Sequence, residues 1–176
     1  MTDNRRRIDR ALDPDFVTDL DTLDLAELRE RRDMAEDVEN LISFYRRMLH
    51  GRMDLLDFEL SRRSGDEERS LLEALPEILA KGMVLGNEPN LKHIDIMPQL
   101  PESTGRRLVD KIMDDGVLAR LPDLSEDEIT EATANLRDFE RQLSAQRRQL
   151  FLVIDKIQEE IVSRYRTEHG SPTASS

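Results

Sequence analysis

Two long stretches of this 176-residue chain run almost free of helix breakers, and their length constrains the fold more than any other feature. The first opens at Asp24, with Glu27 three positions on as in a capping box. It continues to about Ser64 with no proline and one interior glycine, Gly51, before Ser64-Gly65-Asp66 stops it. The second opens at Ser125, with Glu128 in the same relation, and reaches about Glu168 with neither breaker. As helices these are rods of roughly 57 and 63 Å. Rods of matched length, joined by a shorter middle, bury their apolar stripes most simply against each other.

Composition agrees. Aromatics are 4 %, tryptophan is absent, and 36 % charged against 38 % hydrophobic residues leaves only a narrow stripe to bury. The expected fold is all-α: a long antiparallel two-helix coiled coil with shorter helices in the connecting region. Long helices are predicted over 25–63 and 126–167, and short ones over 66–81 and 103–114, within one domain spanning 21–168. Residues 1–20, with Asp13-Pro14-Asp15 and no sustained period, are expected to be disordered, as is the 169–176 tail. The seam reads as Leu41, Met48, Leu55, Ile42, Leu49 and Leu56 against Phe139, Leu143, Leu150, Val153, Ile154, Ile157 and Ile161.

Several function classes are disfavoured. Without cysteine there is no disulfide or thiolate metal site. No apolar run approaches the roughly 18 residues of a membrane span, and MTDNRRRIDR lacks a signal peptide's apolar stretch, so a cytoplasmic, membrane-free protein is expected. A net charge of −12 repels DNA, so no direct DNA contact is expected. His50, His93 and His169 show no metal-ligand spacing, and no glycine-rich nucleotide motif is present, which argues against an enzyme and against a bound metal.

One pattern exceeds what a seam requires. Glu39, Ser43, Arg46, His50 and Asp54 recur as Glu140, Ser144, Arg147, Phe151 and Asp155, each 101 positions after its counterpart. Arg47/Arg148, Leu49/Leu150 and Glu59/Glu160 match in the same register. On a helical wheel each set of five falls within about 80° of arc, beside the seam rather than in it. A two-fold axis perpendicular to the plane of two antiparallel rods keeps both rows on one shared face.

The row's chemistry suits guanine. An arginine fork can bond O6 and N7 together, while a carboxylate accepts from N1–H and N2–H₂. Serine offers a small hydroxyl to a phosphate, the glutamate four residues before it can orient the arginine, and His50 or Phe151 offers an edge or a stacking surface.

The pattern Glu-x3-Ser-x2-Arg-x3-Gln-x3-Asp, present twice, resembles that of the RsiG-type anti-sigma factors of actinobacteria. The resemblance covers residues 39–54 and 140–155 and departs at His50 and Phe151, where the family pattern has glutamine. It implies that two cyclic di-GMP molecules sit on the coiled-coil face. It also implies that the loaded protein captures a WhiG-type sporulation sigma factor and keeps it from RNA polymerase. On that basis Glu39, Ser43, Arg46, Asp54, Glu140, Ser144, Arg147 and Asp155 are the expected ligand contacts, with His50 and Phe151 at the divergent positions. The contrasting expectation is a ligand-independent adaptor that binds protein through its acidic faces.

Overall fold

The structure is a computed structural model that describes residues 3–84 and 115–169. Among them every regular element is helical. Five α-helices are present: α1 (Asp3–Ala11), α2 (Leu25–Ser64), α3 (Leu71–Val84), α4 (Asp115–Ala119) and α5 (Glu126–His169). Three short 3-10 turns lie at Pro14–Val17, Leu20–Thr22 and Leu121–Asp123. The expected helix over 103–114, His93 and the tail beyond His169 lie outside the described residues.

Both long helices start on the capping boxes. The Glu27 N–H donates to Asp24 Oδ1 at 2.8 Å, and the Asp24 N–H donates back to Glu27 Oε2 at 2.9 Å. Ser125 and Glu128 exchange the equivalent bonds at 3.2 and 2.8 Å. Each box satisfies two N–H groups that a helix start leaves orphaned. At the other end of α2, Gly65 adopts φ 84°, a left-handed conformation that costs glycine little, and the Asp66 N–H returns to Ser61 O at 2.9 Å.

α2 and α5 pack antiparallel along their length. Their polar contacts show the direction: Arg32 meets Gln158, Glu39 meets Arg147, Arg46 meets Glu140, Asp57 meets Arg137 and Arg63 meets Leu124. Partner numbers fall along α5 as they rise along α2. Leu28, Ile42, Leu49, Leu56, Ile129, Leu150 and Ile157 are fully buried in the interface core. Burial of each such side chain contributes about 1.5–3 kcal/mol. Leu41, Leu143, Val153 and Ile161 join them, while Met48, Phe139 and Ile154 pack at the margin.

Two expectations need correction. Residues 3–23 are ordered rather than disordered. α1 and the two turns lie against the α2–α5 pair, burying Ala11 and Phe16. Arg7 bonds Asp37 at 2.7 Å and Arg31 bonds Phe16 O at 2.8 Å. These contacts are with residues distant in sequence, so no local period announces them. The short helix begins at Leu71, not near 66, because Ser70 and Glu73 form a third reciprocal cap. Pro76 lies inside α3 without ending it, and Ala74 and Ile78 are buried as α3 packs on α2.

Candidate functional site

The ten residues of the duplicated row lie on α2 and α5, and the structure joins the two rows at their centre. Ser43 Oγ donates to Glu39 Oε1 at 2.6 Å, and Ser144 Oγ donates to Glu140 Oε1 at 2.6 Å. Each carboxylate, steered by the serine one turn along, then receives an arginine from the opposite helix. Arg147 Nε donates to Glu39 Oε1 at 2.6 Å. Arg46 donates to Glu140 Oε1 through Nε at 3.0 Å and Nη2 at 2.8 Å.

This differs from the sequence expectation in two respects. Each glutamate orients the arginine of the other helix, not that of its own. Both serine hydroxyls are committed to carboxylates rather than held out for a phosphate. Residues three or four apart on a helix meet easily, but Arg46 is seven from Glu39 and level with the partner rod, so the cross-helix pairing is shorter.

The charges nearly close within this cluster. Burial pushes the Glu140 carboxyl up, but the hydrogen bonds from Ser144 and Arg46 and the Arg46 charge outweigh it, so its pKa falls below the usual 4.5. His50 Nε2 stands 3.5 Å from the same Glu140 oxygen. In the other half Phe151 takes its place, 40 % exposed, with the Arg147 guanidinium carbon 4.7 Å from the ring centroid.

The two aspartates are placed apart from the central pairs. Asp54 is half-buried and Asp155 exposed, and neither makes an ion pair or side-chain hydrogen bond among the described residues. Arg47 and Arg148, next in sequence to the central arginines, are exposed and equally unpaired among the described residues. Among the described residues the face therefore carries neutralised arginines at its centre, with unpartnered carboxylates and unpartnered cations elsewhere along the two rows. Such a face can offer acceptors to ring N–H groups and positive charge to phosphates at once.

Sequence reasoning missed a second duplicated constellation. Arg63 bonds Glu59 Oε1 at 2.7 Å and reaches the carbonyls of Leu121, at 2.9 Å, and Leu124. Arg164, 101 positions on, bonds Glu160 Oε1 at 2.8 Å and the carbonyls of Leu20 and Leu23 at 3.1 and 2.7 Å. Each long helix thus ends by clamping the turn that starts the other. The signal was available, since both capping boxes and Glu59/Glu160 share the 101-residue offset.

The model of the RsiG-like family matches residues 14–79, a stretch that contains the first turns, the whole of α2 and its row, and most of α3. Over that stretch the chain is similar to the RsiG-like family, and the match supports an RsiG-type anti-sigma factor. No curated protein matches the chain. No helix among the described residues is long and apolar enough to cross a membrane.

Proposed function

We propose that this protein is a cyclic di-GMP-dependent anti-sigma factor that, once loaded, holds a WhiG-type sporulation sigma factor away from RNA polymerase. The observation that carries this reading is the pair of rows converging on one face, with Asp54 and Asp155 without partners among the described residues. Guanine presents N1–H and N2–H₂ to a carboxylate and O6 and N7 to an arginine, whereas adenine's N1 would face the carboxylate as a second acceptor. The flanking Arg47 and Arg148 supply positive charge for the phosphates of a dinucleotide. An extended, half-open face also suits flat bases stacked on one another better than an enclosed pocket would. The RsiG-like match over the first row supports the sigma-factor partner.

Calorimetric titration of cyclic di-GMP, with and without a WhiG-type sigma factor, tests the proposal. Saturable binding of cyclic di-GMP but not cyclic di-AMP is expected, together with a sigma complex that forms only with ligand present. A complex of equal strength without nucleotide would replace this reading with the ligand-independent adaptor.

A further inference from the structure

The two half-sites are alike in sequence but unequal in what they have free, and the inequality rests on the nucleotide reading above. Arg46 commits Nε and Nη2 to Glu140, with His50 crowding the same oxygen. A guanine approaching its remaining Nη1–Nη2 edge must share Nη2 with Glu140, on a guanidinium that two bonds already hold to that carboxylate. Arg147 commits only Nε, to Glu39, and both terminal nitrogens are without partners among the described residues. Its guanidinium lies over the Phe151 ring, which limits where the fork can swing. The free fork is therefore already presented, and part of the ordering cost of binding is met before ligand arrives. Phe151 itself is 40 % exposed, so an incoming purine can also contact the ring.

We propose that the Arg147–Phe151 half-site captures the first guanine and that the Arg46–His50 half-site fills second and more weakly. Phe151 acts as the positioning residue of the leading half-site, in place of the glutamine in the related pattern. The chain has no tryptophan, so Phe151→Trp creates a single fluorescent reporter at this position in the full-length protein. Cyclic di-GMP is titrated into this variant, and into the native chain, Phe151→Ala and His50→Ala by calorimetry, with far-UV circular dichroism confirming helicity in each.

The expected result has three parts. Tryptophan emission changes with the first equivalent of ligand. Phe151→Ala weakens the first binding step by roughly three- to tenfold. His50→Ala leaves that step within about twofold and alters only the second. A Phe151→Ala protein with native first-step affinity, or a reporter that responds only after the first equivalent, overturns the order while leaving the nucleotide reading intact. No saturable binding to the native chain, with or without sigma factor, overturns both.

Discussion

The ends of the helix pair and its centre use the same residue types to opposite effect. At the ends, Arg63 and Arg164 spend every nitrogen: one bond to a glutamate on their own helix, the others on backbone carbonyls of the facing turn. At the centre, Arg46 and Arg147 cross to glutamates of the other helix and keep donors in reserve, and the aspartates two turns along have no partners among the described residues. A saturated arginine fixes structure, and an unsaturated one can still bind something else. The spacing decides which occurs. Glutamate four residues before the arginine gives the local clamp, and seven residues before it gives the crossed pair.

The largest expected effect tests the ends. Arg63 leaves three bonds and two half-shielded carbonyls unsatisfied when truncated, and hydrogen bonds involving a charged group are worth about 1.5–3 kcal/mol. Arg63→Ala and Arg164→Ala should each cost about 2–3 kcal/mol. Because they lie at opposite ends of the rods, the double variant should lose about 4–6 kcal/mol, a large share of a typical domain's stability of about 5–15 kcal/mol. Urea unfolding measures this. Arg46→Ala should cost only about 0.5–1 kcal/mol, as its partner Glu140 keeps the Ser144 hydrogen bond and partial solvent contact. Equal losses at centre and ends would break the distinction.

Next in size is the reverse assignment in ligand binding. Arg147→Ala or Asp155→Ala should weaken cyclic di-GMP binding by about 10–150-fold, the value of a lost base-edge contact. Arg63→Ala, assayed where it remains folded, should bind within about twofold of the native chain. Calorimetry at fixed salt checks both, and a clamp variant that loses affinity as a site variant does would merge the two regions.

Acid should loosen both regions in the same direction. The Arg62 hydrogen bond lowers the Glu59 pKa, burial opposes it and Arg63 adds to the lowering; Glu140 is lowered as described above. A carboxyl lowered from 4.5 stabilises the fold above that value and loses the contribution as pH falls through its folded pKa. Thermal midpoints should therefore hold above pH 4.5 and drop below it. Glu59→Gln and Glu140→Gln should each flatten that drop, and an unchanged profile in both would show that other carboxyls govern it.

The sequence reveals the rods because their signals are local: Asp24 with Glu27, Ser125 with Glu128, and seam residues such as Leu49 and Leu150 at heptad spacing. It reveals the shared face because helical geometry fixes where Ser43 and Asp54 project relative to that seam. It hides residues 3–23, since Phe16, Leu20 and Leu23 are held by Arg31 and Arg164, up to 144 positions away. It hides the crossed pairs for the same reason, since Arg46 and Glu140 stand 94 positions apart. The clamps could have been read from sequence, because Arg63 and Arg164 follow the same offset as the site.

The smallest effect concerns a place where the two halves part company. Tyr45 is buried, 2 % exposed, and its hydroxyl is the buried side-chain polar atom without a hydrogen-bond partner among the described residues. Burial accordingly pushes its pKa above the usual 10. Its counterpart 101 positions on is Gln146, which is only half-buried, so α5 carries no such burden. An unsatisfied buried hydroxyl costs about 1–3 kcal/mol, and removing it while keeping the ring restores part of that. Tyr45→Phe should leave helicity unchanged and raise stability by about 0.5–1 kcal/mol in urea unfolding. Destabilisation instead would mean that the hydroxyl has a partner in solution, and that α2 carries a polar contact within the core that α5 lacks.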